Sequence, residues 1–340
     1  MPALFRNLRV LLPAAGLLVA AGAYTWWWHA VADAVRSRVP LMIAAGAEAG
    51  IALDPGTSEV GGFPYRVELA LRGATAAGHG WHWAPERVRI FVQPWNLRHQ
   101  VVLAGGAHRW GRAPDGTALA ADVLRASLVH DRDRALQRIS IEATGLSATR
   151  WSLHRMELHA RRTPDGFEVA SRLEDGRFTD RSVPTRPDFQ YALLEGTVAP
   201  APDLPALADP ARWAHAGGVL EVSRLAFAWG PLQGDAQGTA TLDGAGRPLG
   251  AFTLRTENFP GAIRFLEDQG WTSPAAARAA EAALVEAGHE TAEATFPVTV
   301  QDGKVTVAGI PLLRVPPLVP VSAASPVRRR SHPDGLRESG

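Results

Sequence analysis

The spacing of apolar residues changes along the chain and separates a helical N-terminal part from a strand-rich body. Residues 10–28 are predominantly apolar and carry no charge. From residue 29 to about residue 50, apolar side chains recur at every fourth position, at Val31, Val35, Val39 and Ile43, which predicts a stalk helix. Pro40 is expected to kink this helix, because proline lacks a backbone N–H.

After Asp54-Pro55-Gly56 the apolar period falls from four to two, which is typical of strands with one buried face. Charged residues occupy most of the positions between the apolar ones. The clearest alternation lies in two segments, whose apolar residues are Val67, Leu69, Leu71, Val88, Ile90 and Val92. The same pattern recurs at residues 139–143, 252–254, 298–300 and 305–307. It predicts an extensive sheet within a body that spans residues 57–318.

Turn residues predict how these strands are connected. Asp-Gly pairs are a strong signal for a β-hairpin when they separate two apolar runs. The pairs of this chain lie at residues 115–116, 165–166, 175–176, 243–244 and 302–303. They predict antiparallel hairpins. In two segments, 151–160 and 220–229, the apolar positions change parity, which predicts a β-bulge or a bend in each.

Helical patterns within the body are few. They cover residues 203–216, 260–270 and 273–287, and the last begins with Ser273 and Pro274, a good N-cap followed by proline in the first turn. Strands and helices do not alternate regularly, which argues against a doubly wound parallel sheet. The predicted fold class is α+β, mostly β, with a large twisted antiparallel sheet and a few packed helices. A variant of this plan divides the body into halves, 57–200 and 217–318.

The N-terminal apolar run has the properties of a membrane anchor. Residues 10–28 are long enough, as a helix, to cross a hydrocarbon core of about 30 Å. Arg6 and Arg9 favour a cytoplasmic N-terminus for residues 1–9, although Arg36 and Arg38 on the other flank weaken that argument. The tryptophans at 26–28 are expected at the headgroup boundary. The predicted location is the inner membrane, with a single pass and the body in the periplasm.

Two other interpretations of this segment stay open. Ala21-Gly22-Ala23 has the small residues that a signal peptidase requires, so the segment is alternatively a cleaved signal sequence. Cleavage would still export the body. A buried helix of a soluble protein is the third interpretation.

Composition restricts the chemistry. The chain has no cysteine, which excludes thiol catalysis and thiolate-bound metal. The net charge is only +1, and arginines alternate with acidic residues instead of forming a basic surface, so no nucleic-acid partner is expected. Residues 322–340 are rich in Ser, Pro, Arg and Gly, and we expect a disordered tail there.

Catalytic and metal-binding motifs are missing from the sequence. It contains no Gly-x-Ser-x-Gly, Ser-x-x-Lys or His-Glu-x-x-His pattern. The histidine pairs considered for a metal site are His79 with His82 and His154 with His159, and neither spacing fits a metal site well. His154 and His159 are separated by five positions, which would place them on opposite faces of a strand. We therefore predict no catalytic residue, no metal site and no cofactor, and we expect that the protein is not an enzyme.

Three short motifs resemble a known family. They are followed along the chain by Asp243-Gly244 and Gly246-Arg247-Pro248. The residues of the three motifs are Gly62, Phe63, Pro64, Tyr65 and Arg66; Gln93, Pro94, Trp95 and Asn96; and Trp229, Gly230 and Pro231. In this order and spacing they resemble the bacterial envelope family known as domain of unknown function 2125, over residues 5–318. The resemblance implies a membrane-anchored periplasmic protein and no assigned activity. A more distant likeness is to AsmA-like envelope proteins, which are associated with lipid transport.

Binding is the function that these features favour. The hypothesis is that an apolar groove binds lipid acyl chains or an apolar segment of a partner, and membrane lipid is the predicted partner. The residues expected to line it are Val67, Leu69, Leu71, Val88, Ile90 and Val92. Other envelope proteins are a second class of partner. The alternative is a scaffold or protein-interaction module with a filled core and no lipid, in which the motifs serve turns and packing. A hydrolase is a distant third.

Overall fold

The computed structural model describes residues 2–78, 81–111, 117–178, 188–203, 210–286 and 294–317, with the backbone alone for residues 2–11 and 283–286. The helices in this part of the chain are α1 (Pro2–Arg36), α2 (Arg38–Glu48), α3 (Pro210–His215), α4 (Phe259–Asp268) and α5 (Pro274–Glu286). The strands of the N-terminal half are β1 (Ala52–Asp54), β2 (Thr57–Gly61), β3 (Val67–Arg72), β4 (Thr75–Gly78), β5 (Trp81–Gln93), β6 (Asn96–Gly111), β7 (Thr117–Ala120), β8 (Val123–His130), β9 (Leu136–Ala148) and β10 (Trp151–Arg162). The remaining strands are β11 (Phe167–Phe178), β12 (Phe189–Ala199), β13 (Val219–Trp229), β14 (Leu232–Leu242), β15 (Pro248–Thr256), β16 (Ala294–Gln301), β17 (Lys304–Val307) and β18 (Ile310–Arg314).

The N-terminal helical part is divided in two. α1 ends at Arg36 and α2 begins at Arg38, so Pro40 lies in the first turn of α2, where its missing N–H costs little. The helix is interrupted at Ser37, whose backbone still has helical dihedral angles, so a bend at Pro40 stays a prediction. None of the helices in the described part of the chain is both long enough and apolar enough to cross a membrane. The anchor over residues 10–28 therefore stays a prediction.

The strands belong to one antiparallel sheet, which confirms the mostly β fold class. From β8 to β18 each strand pairs with the next one along the chain. Before β8 the order of neighbouring strands is β2, β3, β5, β6, β8. β4 pairs with the start of β5, and β1 pairs with β4. β7 pairs with the ends of β6 and β9. β12 pairs directly with β13, so the two predicted halves share this sheet.

The register between neighbouring strands places apolar residues of many strands on one side of the sheet, because directly opposed residues point to the same side. We call this side the apolar face. It comprises Val67, Leu69 and Leu71 of β3, Val88, Ile90 and Val92 of β5, Val102 and Ala104 of β6, Leu124, Ala126 and Leu128 of β8, Ile139, Ile141 and Ala143 of β9, Met156, Leu158 and Ala160 of β10, Val169 and Leu173 of β11, Ala192 and Leu194 of β12, Leu225 and Phe227 of β13, Phe252 and Leu254 of β15, and Phe296 and Val298 of β16. Gln100 and Ser171 are polar residues within it.

The opposite side, which we call the charged face, carries ion pairs between neighbouring strands. Arg125 of β8 pairs with Glu142 of β9, which also lies 3.9 Å from Arg155 of β10. Arg161 of β10 pairs with Glu168 of β11 at 2.5 Å. Exposed pairs of this kind are worth at most about 1 kcal/mol each. Their main effect is to keep this side of the sheet solvated.

Helices pack on the two ends of the apolar face. At the first end, Trp28, Val31 and Ala32 of α1 form a buried cluster with Val67. At the other end, α4 and α5 pack on β16 to β18, in a cluster that includes Ile263 and Phe296. Neither cluster, within the described residues, contains a residue between Val67 and Leu232. The middle of the apolar face therefore lies between two helix-covered ends.

The predicted turns and bulges have mixed outcomes. The Asp-Gly pairs at 165–166, 243–244 and 302–303 connect β10 to β11, β14 to β15 and β16 to β17, as predicted. The pair at 175–176 is wrongly predicted as a hairpin. It lies within β11, where Asp175 adopts φ 51° and the strand continues past it, so Asp-Gly here serves an irregularity of the strand. The pair at 115–116 lies outside the described residues.

The other local predictions are confirmed in part. The β13–β14 register shifts between Val222 and Leu225, which is the bulge expected in residues 220–229. In residues 151–160, the pairing with β9 is interrupted at His154 and Gly145, and Gly145 has φ +60°. The register is the same on both sides of this interruption, so the irregularity expected here is local and does not shift the pairing. α4 and α5 match the predicted helices closely, and the Ser273 hydroxyl accepts a hydrogen bond from the N–H of Ala276, as an N-cap does. The predicted tail, 322–340, lies outside the described residues.

Candidate ligand-binding face

The six residues predicted to line a groove lie together on the apolar face. Val67 is opposite Val92, Leu69 is opposite Ile90, and Leu71 is opposite Val88. Four of the six are buried, whereas Leu71 and Ile90 are half-buried. α1 lies over Val67. This group is therefore the covered end of the apolar face, and an accessible surface has to be sought on later strands.

The accessible part lies on β8 to β12. Its large side chains are half-buried, which means that they contact their neighbours and still expose apolar surface. They are Leu124, Leu128, Ile139, Ile141, Met156, Leu158, Leu173 and Leu194. In the sequence, Ile139 and Ile141 indicated only a strand. The alternation of Leu124, Ala126 and Leu128 with Arg125 and Ser127 was the signal that could have extended the predicted face to β8.

Two of the three family-like motifs meet at the same ends of neighbouring strands, where β3 begins and β5 ends. Gly62 to Arg66 form the turn that leads into β3, and Pro94-Trp95 is the two-residue turn between β5 and β6. They are neighbours because Val67 pairs with Val92. We call the end of the sheet formed by these two turns the α1-side rim.

The third motif lies at the opposite ends of the strands, where β13 ends and β14 begins. Gly230-Pro231 is the turn between β13 and β14, and Gly230 has φ +56°. Trp229 contacts the ring of Trp271 at 5.0 Å and that of Phe178 at 5.4 Å between centroids. Its role is packing between the sheet and the segment after α4. The structure does not bring this motif to the other two.

α1 is attached to the first motif by hydrogen bonds from two aromatic side chains. The Trp28 indole N–H donates to the carbonyl oxygen of Arg66 at 3.0 Å, and the Tyr24 hydroxyl donates to that of Pro64. The rings of Trp28 and Phe63 meet edge to face at 5.4 Å. These contacts fix the position of the turn relative to α1.

A cleft of about 500 Å³ opens on the charged face beside this rim. Phe91 forms part of its wall, and the guanidinium groups of Arg66 and Arg89 lie 4.8 Å and 5.5 Å from the centre of its ring. Glu68 pairs with both arginines, at 3.2 Å and 3.9 Å. One carboxylate thus faces two guanidinium groups, and the cluster retains one positive charge. This cleft is not predictable from the sequence, because its residues come from separate segments.

His108 is a buried polar residue far from that cleft. Only 1% of its surface is exposed, and its ring stacks on Trp83 at 6.3 Å. Among the described residues, neither ring nitrogen has a hydrogen-bond partner. Burial lowers the pKa of His108, and the carboxylate of Glu86 opposes this shift. Desolvation is the larger effect, so the folded protein favours the neutral imidazole.

The histidines considered for a metal site do not come together. His154 and His159 are both exposed, and the Nδ1 of His159 is 3.0 Å from the hydroxyl of Ser140. His79 lies outside the described residues. Within the described part of the chain, no group of three His, Asp or Glu side chains is arranged to hold a metal ion.

A comparison with protein-family models matches residues 27–316 to the family described as "Uncharacterized protein conserved in bacteria (DUF2125)". The chain belongs to this family. The DUF2125 match begins within α1 and includes every strand from β1 to β18, and it contains all three motifs that carried the resemblance. No curated protein and no solved structure matches the chain. The likeness to AsmA-like proteins stays a prediction.

Proposed function

We propose that this DUF2125 protein is anchored in the bacterial inner membrane and binds lipid acyl chains on its apolar face, in the maintenance of the cell envelope. The observation that carries the proposal is the middle of the apolar face. From β8 to β12 its leucine, isoleucine and methionine side chains are only half-buried. Each methylene of an acyl chain that such a surface covers contributes about 0.8 kcal/mol.

The arrangement of the two faces supports an apolar ligand. The charged face of the same strands carries interstrand ion pairs, so the strands differ sharply between their two sides. Among the described residues, the polar side chains on the apolar face include Gln100 and Ser171, together with Arg162 and Thr256 at the ends of their strands. A flexible acyl chain fits a long apolar surface of this kind better than a compact polar ligand does.

Anchoring is supported by the sequence and exposure of α1. Its residues 10–28 carry no charge, and Leu12, Leu17, Leu18 and Val19 are largely exposed. Exposed apolar residues on one continuous helix need a partner, and lipid supplies one. Arg6 and Arg9 favour a cytoplasmic N-terminus, which would leave the sheet in the periplasm. A cleaved signal sequence would give the same location without the anchor.

We propose binding and no catalysis. The sequence lacks the hydrolase motifs described above, and we assign no catalytic residue. An envelope scaffold that carries no lipid is the second candidate. The observation in its favour is the covered first end of the apolar face, where α1 lies on Val67.

The test is photolabelling of the full chain. The protein is reconstituted into liposomes that contain phosphatidylglycerol with a diazirine at the end of one acyl chain. After irradiation, labelled peptides are identified by mass spectrometry. Leu158→Glu places a charge on the middle of the apolar face, and His159→Glu is the matched control on the charged face of the same strand.

Labelling of peptides from β8 to β12 in the natural chain, reduced by Leu158→Glu and retained by His159→Glu, is the expected result. Labelling confined to α1 would support the anchor and exclude acyl-chain binding by the sheet. The scaffold would then be the better assignment. Labelling of neither region would contradict both parts of the proposal.

A further inference from the structure

We infer that the α1-side rim is itself a membrane contact, in which Tyr65, Trp95 and Leu97 lie in the headgroup layer of the bilayer that holds α1. This surface is distinct from the apolar face. The inference rests on the proposed anchoring of α1.

The exposure of the rim is the first observation. Tyr65 is 79% exposed and Trp95 is 67% exposed, and Phe63 and Leu97 are also exposed. Turns at the end of a sheet ordinarily carry small polar residues. Here two adjacent turns present large aromatic and aliphatic side chains to the outside, which marks a contact surface.

The level of the rim along α1 is the second observation. Tyr24 is bonded to Pro64, and Trp28 is bonded to Arg66, so the turn lies beside residues 24–28 of the helix. Four residues of helix correspond to about 6 Å. The polar layer on each side of a bilayer is about 5–8 Å thick. If residues 10–28 span the hydrocarbon core, residues 24–28 are the last turn before this layer, and the rim lies at the boundary between the core and the headgroups.

The side chains of the rim suit that layer chemically. Tryptophan and tyrosine concentrate at the membrane interface because their rings are apolar and their N–H or O–H groups are polar. Trp26 and Trp27 of α1 are exposed at the same level. Arg98 is exposed beside Leu97, and the Arg66, Arg89 and Glu68 cluster retains one positive charge. These charges favour a surface that contains anionic lipid.

The occupant is therefore a lipid surface. A protein partner would use the same aromatic side chains, but it would not account for their position beside the exposed apolar stretch of α1. The two surfaces are continuous, because Trp28 packs on Phe63 and joins the helix to the rim.

The absence of cysteine makes a direct test simple, because any introduced cysteine is the single thiol. Tyr65→Cys and Leu97→Cys report on the rim. Val123→Cys is the matched control, since Val123 and Leu97 are 41% and 45% exposed. Val123 begins β8 at the other end of the sheet, about 25 Å further along the strand direction. Leu17→Cys reports on the anchor separately.

Each variant, as the full chain, is labelled with a nitroxide and reconstituted into vesicles of phosphatidylcholine and phosphatidylglycerol. Electron paramagnetic resonance then measures collisions of the label with an aqueous nickel complex, in vesicles and in detergent. The expected result is that reconstitution lowers nickel accessibility at positions 17, 65 and 97 and leaves it unchanged at position 123.

The remaining outcomes overturn the inference in distinguishable ways. Protection at position 17 alone would keep the anchor and reject the rim contact. No protection at positions 17, 65 and 97 would reject the anchor together with the rim that depends on it. Equal protection at position 123 would show that the contact is not specific to the rim. Acyl-chain binding by the apolar face is measured independently by photolabelling.

Discussion

The indole Nε1–H of Trp28 donates a hydrogen bond of 3.0 Å to the backbone carbonyl oxygen of Arg66. Trp28 is buried, and Val31 and Ala32, one turn further along the helix, pack with it against Val67. The bond therefore belongs to the contact that attaches α1 to the first strands of the sheet.

Trp28→Phe should weaken this contact. Phenylalanine keeps an aromatic ring but leaves the Arg66 carbonyl without its donor, so we expect the free energy of unfolding to fall by about 1–2 kcal/mol. Urea unfolding of the full chain in one detergent, followed by near-UV circular dichroism, measures the change. Trp27→Phe is the control, because the neighbouring Trp27 is more exposed and its replacement should change stability by less than about 0.5 kcal/mol. Equal effects of the two substitutions would count against the Trp28 contact.

Gly238 of β14 should not tolerate even a methyl group. A Cβ at this position would lie 2.1 Å from the carbonyl oxygen of Ala251 and 2.7 Å from the Cα of Phe252, so the backbone of β15 would have to move. We expect Gly238→Ala to cost about 1–3 kcal/mol. Gly105→Ala is the matched control, since a Cβ there would meet no atom of the described residues within 4 Å. The same urea experiment compares them, and similar midpoints for the two variants would refute this explanation.

His108 should make stability depend on pH. Because its pKa is lowered in the folded protein, the unfolded chain, with a histidine pKa of about 6.5, binds more protons at mildly acidic pH. The free energy of unfolding is expected to fall as pH decreases through and below that value. His108→Phe should reduce this slope between about pH 5.5 and 7.5. His154→Gln, at an exposed histidine, is the control substitution.

Thermal unfolding of the full chain at a series of pH values measures these slopes. Equal slopes for the natural chain and His108→Phe would show that the buried imidazole does not contribute. Glu86 is the acidic group that acts on His108, and Glu86→Gln should steepen the dependence, since its carboxylate favours the protonated ring.

Ser273 should stabilise the start of α5. Its hydroxyl accepts the N–H of Ala276 at 3.2 Å, a donor that has no partner within the helix. Ser273→Ala should lower the free energy of unfolding by about 1 kcal/mol, whereas Ser273→Asp keeps a capping oxygen and should be close to neutral. Chemical unfolding of the three chains measures the difference. A destabilised Ser273→Asp would mean that the hydroxyl has another role.

The sequence predicted what depends on neighbouring residues. Alternation of Val67, Leu69 and Leu71 with charged residues sufficed for a strand with one apolar face, and Ser273-Pro274 marked the start of α5 to within a residue. Asp175-Gly176 was wrongly predicted for a related reason. Both a turn and an irregular strand position accept a positive φ at aspartate, so the dipeptide does not distinguish them.

What the sequence could not predict depends on register. Gly62 to Arg66 and Pro94-Trp95 form one rim only because Val67 pairs with Val92 and not with a residue two positions away. Likewise, nothing in the alternation indicated that α1 would cover Val67 while Leu158 stayed half-buried. Such contacts join segments that are distant along the chain. The local pattern of apolar residues would be the same in another register or with α1 in another position.

The pairing of each strand from β8 to β18 with its successor has a consequence for folding. Each new strand can add to an edge that already exists, and the entropy lost on closing each connection is small when the connection is short. Mostly sequential contacts of this kind favour rapid folding for a β-rich chain. A chain that emerges N-terminus first during its synthesis can therefore extend this sheet strand by strand as it arrives.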